Sequence, residues 1–173
     1  DADERVTPEL RNEIISVLSS NSNVNGYLIP RLSNYLGKDI RHAGWYPDYT
    51  LRLVKRGRSH FTKDIVHEKM VADGAIQKIS NHFLHFPFKD IEHHFQKLND
   101  YSTLSANKMY REGKKVGWIL IVLKTLLAFI RSYILKLGIL DGWPGLTVSV
   151  STSLSVYMKY VKLKELRLFG KKT

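Results

Sequence analysis

Asp1-Ala2-Asp3 places two carboxylates one residue apart. Hard oxygen ligands at that spacing suit Mg²⁺ or Mn²⁺, and a metal so held neutralises the diphosphate of a nucleotide substrate. The same pair reads otherwise as a solvated acidic stretch. Arg52, with Lys55, Arg56 and Arg58 behind it, is a second group that could meet phosphate. A guanidinium such as that of Arg52 pairs bidentately with phosphate oxygens, whereas Lys55, Arg56 and Arg58 read as a solvated basic turn. Trp45 and Tyr46 offer flat faces that either stack on a pyranose or pack at a sheet end. His82, His85, His93 and His94 lie near one another in sequence, but their spacing matches no compact zinc pattern. His85 stands among Phe83, Phe86 and Phe88 and reads as a partly buried, hydrogen-bonded histidine.

The elements that must position these groups follow from local signals. Thr7-Pro8-Glu9 is a helix start, with a hydroxyl cap, a proline in the first turn and a carboxylate at the positive dipole end. That helix is expected to run to about Ser20. Residues 26–31 and 49–54 read as strands, with a third from Phe61 to Val66. From Lys89 onward the periodicity is helical. Separate helices are expected over 89–98, 105–113 and 116–136, then a turn at Asp141-Gly142-Trp143-Pro144-Gly145 and a last helix ending near Phe169.

Charge divides the chain unevenly. The net charge is +11, and residues 107–173 hold 13 Lys and Arg against 3 Asp and Glu. Residues 1–106 are nearly balanced, with 14 against 13. Two regions are therefore expected, 1–106 and 107–173. The basic region is also the more apolar, which suits an anionic membrane surface and not nucleic acid. Its run from Val116 to Leu140 is interrupted by Lys124, Arg131 and Lys136. We read it as lying in the membrane interface rather than crossing, the alternative being a core helix with snorkelling bases. The chain has no cysteine, which excludes disulfides and thiolate metal sites and fits a reducing compartment.

An ordered series of short motifs adds a resemblance. Asp1-Ala2-Asp3-Glu4 is followed by Gly44-Trp45-Tyr46-Pro47-Asp48, Val66-His67-Glu68, Leu84-His85-Phe86 and Gly113-Lys114-Lys115. Phe129-Ile130-Arg131-Ser132-Tyr133 and Gly138-Ile139-Leu140-Asp141-Gly142 complete it. The order resembles the family 2 glycosyltransferases that add glucose to the bacterial lipopolysaccharide inner core, along nearly the whole chain.

The resemblance implies an α/β fold: the acceptor part of a GT-A nucleotide-diphospho-sugar transferase, followed by amphipathic helices. It implies a nucleotide-sugar donor such as UDP-glucose and a lipopolysaccharide-core or other lipid-linked acceptor. The expected place of work is the inner face of the cytoplasmic membrane, with Mg²⁺ or Mn²⁺ as cofactor. Asp3 is then a direct metal ligand, and Asp1 reaches the ribose, or the metal through water. Arg52 meets the donor phosphates, while Trp45, Tyr46 and His67 meet the acceptor. Glu68 is the general base, and one base with direct displacement gives inversion. Glu68 alternatively pairs with Lys69 at the surface, and His67 alternatively makes a structural hydrogen bond. The family's nucleotide-binding half precedes its Asp-x-Asp, so this chain alone is expected to be inactive. The competing expectation is a non-catalytic, peripheral membrane-binding module.

Overall fold

A computed structural model describes residues 2–20, 23–62 and 70–170. Asp1, His67 and Glu68 lie outside the described residues, as does the end of the strand expected at 61–66. The elements run β1 (Glu4–Val6), α1 (Pro8–Ser19), β2 (Gly26–Tyr35), β3 (Lys38–Ile40) and β4 (Asp48–Val54). Then come β5 (Ser59–Phe61), β6 (Met70–Ala72), β7 (Ile76–Lys78) and β8 (Phe83–His85). The helices α2 (Ile91–Arg111), α3 (Trp118–Ile130) and α4 (Gly142–Phe169) complete the chain. A π turn (Arg131–Leu135) and a 3-10 turn (Gly138–Asp141) link the last two. The fold is mixed α/β, in two compact units: residues 1–34 with 45–87, and residues 35–44 with 88–173.

In the first unit β2 is the central strand. One edge pairs antiparallel with β4. The other takes β7 along Gly26–Leu28 and β8 along Arg31–Ser33, both parallel, and β8 in turn pairs antiparallel with β1. Pro30, which has no N–H to donate, falls between the stretches paired to β7 and to β8. Both faces of β2 are covered, so its residues are buried almost without alternation. Helix α1 begins as its sequence dictates: the Thr7 hydroxyl accepts from Leu10 N at 3.1 Å, and Pro8 occupies the first turn. Leu10 packs with Tyr27, Ile29 and Ile79, and Ile14 and Val17 extend the same face. The Glu13 carboxylate accepts from the backbone N–H groups of Ser80 (2.9 Å) and Asn81 (2.8 Å), fixing the approach to β8.

In the second unit α4 lies between α2 and α3. Residues 91–111 form one helix, not the two expected, although Asn99, Ser102 and Thr103 favour its interruption. The Ser102 and Thr103 hydroxyls turn back onto the Asn99 carbonyl at 2.7 and 2.9 Å. Lys162 of α4 then donates to Asn99 Oδ1, Ser102 Oγ and Thr103 Oγ1 at 2.7–2.8 Å. Packing thus satisfies the groups that would otherwise break the helix. Desolvation holds the Lys162 amine below its ordinary pKa, so part of what its bonds contribute is offset. Lys162→Met is therefore expected to cost only about 1 kcal/mol in urea unfolding; a loss several times larger would mean that the ammonium organises the α2–α4 packing.

The expected turn at residues 141–145 is shorter than anticipated. The 3-10 turn ends at Asp141 and α4 starts at Gly142, because Pro144 is tolerated in a first helical turn. Likewise α3 continues into the π turn, so Trp118–Leu135 forms a helical stretch long and apolar enough to cross a membrane by length and composition. It is no core helix: Trp118, Leu123, Leu127 and Leu135 are all exposed.

Candidate functional site

The first unit carries a polar cluster where β1, β8, β2 and β4 meet. The register sets Glu4 opposite His85, and His85 opposite Ser33. On the far edge of β2, Arg31 lies opposite Asp48. Between Tyr27 and Leu28 the β2–β4 register slips, with Leu28 opposite Leu51 and Tyr27 opposite Leu53. Arg52 is the extra residue of that bulge, and a bulge re-aims the side chain it carries.

Glu4 is the hub. Its carboxylate is 4% exposed and accepts from Arg52 Nε at 3.0 Å and Arg52 Nη2 at 2.9 Å, a two-point pairing. Arg31 Nη1 approaches the same carboxylate at 3.4 Å, while Arg31 Nε donates to Asp48 at 3.0 Å. Burial pushes the Glu4 carboxyl up, but the Arg52 and Arg31 guanidiniums outweigh it and hold the group below the ordinary carboxylate value. The hydrogen bond to Glu4 in turn raises Arg52.

Asp3 is at the edge of this cluster. Its carbonyl accepts from Phe86 N at 2.8 Å, and its carboxylate, 43% exposed, lies 3.5 Å from His85 Nε2. His85 Nδ1 faces Ser33 Oγ at 3.0 Å. Burial lowers the His85 pKa, and Arg31 lowers it further against the opposing pull of Asp3 and Glu4. Asp3 also adds to the field that raises Arg52. The structure therefore brings Asp3 and Arg52 into one electrostatic neighbourhood. A groove of about 460 Å³ opens beside it, with Arg31, Asp48, Tyr49, Arg52, Phe61 and Met70 in its walls.

Trp45 and Tyr46 are half-buried. Tyr46 packs edge-on against His82, ring centres 5.9 Å apart, beside the α1 cap. Of the four histidines considered for zinc, His82 thus serves packing, and His93 takes the Lys89 N–H at 3.2 Å. His94 is buried with Nδ1 2.6 Å from the Tyr35 hydroxyl and Phe88 stacked on its ring. Sequence reasoning missed Glu4, Arg31 and Asp48. The signal available for Glu4 was its place next to Asp3; nothing in the sequence paired it with residues 31 and 52.

Among the described residues, no group of three or more His, Asp or Glu side chains gathers into a metal cage. Mg²⁺ seldom uses such a cage. It binds one or two carboxylates, water and substrate phosphates. The exposed Asp3 carboxylate fits that donor set, whereas Glu4, engaged by two arginines, does not.

A lipopolysaccharide core biosynthesis glycosyltransferase of Rhizobium meliloti is 24% identical over 92% of the chain and 63% of its own length. Uncharacterized glycosyltransferases of Rickettsia typhi and Rickettsia prowazekii are each 24% identical over 97% of the chain and 61% of their own length. The chain is similar to glycosyltransferases. It spans about three-fifths of the length of these curated relatives. No protein-family model and no solved structure matches it.

Proposed function

We propose that the chain forms part of a metal-dependent, inverting family 2 glycosyltransferase of GT-A fold. It would transfer a sugar from a nucleotide-sugar such as UDP-glucose to a lipopolysaccharide-core or other lipid-linked acceptor. The place of work is the inner face of the cytoplasmic membrane. What carries the reading is a similarity to glycosyltransferases over more than nine-tenths of the chain, beside which stands the Asp3–Glu4–Arg52 cluster.

Sugar transfer requires that a leaving diphosphate be stabilised and an acceptor hydroxyl be deprotonated. Asp3, with Asp1, would hold Mg²⁺ or Mn²⁺, which when bound supplies Lewis-acid stabilisation of the diphosphate. Arg52 and Arg31 stand in the groove wall as fixed cations for the donor phosphates. Glu4 holds the Arg52 guanidinium in one plane, so little reorientation is needed as charge develops. Glu68 serves as the base that takes the acceptor proton, and Trp45, Tyr46 and His67 serve the acceptor sugar. The test is sugar transfer by a protein that spans the full length of the relatives, with and without Mn²⁺. Arg52→Ala is expected to reduce turnover on the order of a hundredfold. Asp3→Ala is expected to remove the response to Mn²⁺. Turnover unchanged in both variants would sink these roles.

A further inference from the structure

We infer that α3 and the turns after it lie flat in the interface of an anionic bilayer, with α4 as their roof. Among the described residues, protein occupies only one face of α3. Ile121 is buried, the Thr125 carbonyl accepts from Ser153 Oγ of α4 at 3.0 Å, and Ser132 bonds Ser149 of α4 at 3.0 Å. These positions are spaced by four and seven residues, so they form a single stripe. The rest of the circumference is bare and, Lys124 apart, largely apolar: Trp118, Ile119, Leu120, Val122 and Leu123 are all exposed. Neighbouring helical residues point about 100° apart, so no flat protein face could cover all of them, whereas a fluid apolar layer can. The surface continues through Leu137, Leu140 and Trp143.

Charge selects the occupant. Between Gly113 and Lys164 the one acidic residue is Asp141. It is buried, accepting from His42 N at 2.8 Å and facing His42 Nδ1 at 2.9 Å, so it presents no charge to a partner. Lys115, Lys124, Arg131, Lys136 and Lys164 are exposed on the same unit. Such a surface repels a second copy of itself and attracts anionic headgroups, while tryptophans near both ends suit the headgroup level.

The same unit argues against crossing. The far end of the apolar stretch is tied to residues 42–43: Ala43 N donates to the Lys136 carbonyl at 2.8 Å, and Ser132 Oγ donates to the Ala43 carbonyl at 3.1 Å. The near end is tied to α4, where Arg167 Nε donates to the Lys114 carbonyl at 3.1 Å. Because α4 also carries α2, with Glu92, Lys97, Asp100 and Lys108, an upright α3 would drag charged helix into hydrocarbon.

The experiment is co-sedimentation of the chain with vesicles of phosphatidylcholine alone or mixed with phosphatidylglycerol, free of sugar donor and acceptor. Its result is thus independent of whether the protein transfers sugar. Binding is expected to the anionic vesicles, to weaken with salt, and to fall about tenfold in Leu127→Asp, an exposed site whose change spares the core. Depth is read by brominated-lipid quenching of single tryptophans: native Trp118, Leu126→Trp and Ile134→Trp, with the other tryptophans replaced by Phe in each case. Three shallow, similar depths are expected. A deep position 126 between shallower ends would replace this inference with a crossing helix. No binding, unaltered binding by Leu127→Asp, or equal binding to both vesicles at every salt concentration would overturn it.

Discussion

Glu4→Gln is expected to destabilise the first unit by about 2 kcal/mol and to flatten its response to acid. The amide keeps the shape of the carboxylate but sets an NH₂ group against guanidinium donors. Breaking a fully buried ion pair costs roughly 3–5 kcal/mol, because the remaining charge is stranded. Here the stranded groups are Arg52 and Arg31, 27% and 23% exposed, which water can partly rehydrate, so the cost falls below that range, to about 2 kcal/mol.

The acid response follows from the direction of each shift. The folded Glu4 pKa lies below its unfolded value, so its contribution is fully present above about pH 4.3 and is lost as the pH falls through the folded value. His85 acts in a higher window. Its folded pKa is also lowered, so the unfolded chain binds more protons below about pH 6.5, and stability declines from there down to the folded value. Urea midpoints at a series of pH values separate the two. Glu4→Gln should reduce the loss below about pH 4.3, which Glu13 shares, and should extend the His85 limb to lower pH, because a charge that raises the His85 pKa is gone. An unchanged acid limb would show that the carboxylate is not held by the arginines. In a transfer assay the same variant should lower turnover while the wild-type arginines remain, since their orientation has been lost rather than their charge.

What the sequence disclosed and what it concealed divide along physical lines. The start of α1 was legible because Thr7 and Pro8 act within one turn. The strands at 26–31 and 49–54 were legible because an apolar run bounded by turn residues needs no distant partner to be recognised. The continuity of α2 was not, since it rests on Lys162, some 60 residues away, supplying what Ser102 and Thr103 would otherwise seek. Asp3 and Arg52 were each suspected on chemical type, yet their association depends on Glu4 and on a register slip that no local pattern signals. For α3 the sequence favoured a helix in the membrane interface but left a core helix open. An apolar helix reads the same whether protein or bilayer surrounds it, and only the stripe it gives to α4 tells the two apart.

Gly145→Ala is expected to cost about 4 kcal/mol, beyond the usual range for an added methyl group, because nothing near it can yield. A Cβ at residue 145 would lie 2.0 Å from the Gly138 carbonyl oxygen and 2.8 Å from Asp141 Cβ. The 3-10 turn cannot retreat. A Cβ on Gly138 would itself meet the Ser132 carbonyl at 2.9 Å and Ser149 Oγ at 2.8 Å, so the backbone is already closely approached on its other side. Ser149 Oγ also donates to the Gly145 carbonyl at 2.8 Å, and Asp141 holds His42 by two contacts. Relief of the clash must therefore break hydrogen bonds of buried groups, each worth about 1 kcal/mol or more. Gly117→Ala is the control: among the described residues, no atom other than those of its own chain neighbours lies within 4 Å of its added Cβ, and a loss below about 1 kcal/mol is expected. Urea unfolding of both variants decides the matter, and equal small losses would mean that α4 does not pack on the 3-10 turn this closely. The consequence reaches the surface as well. This knot sets the direction in which α4 leaves the turn and so fixes which face of α3 is roofed. At temperatures where Gly145→Ala remains folded, its binding to anionic vesicles should weaken even though every exposed apolar side chain is retained.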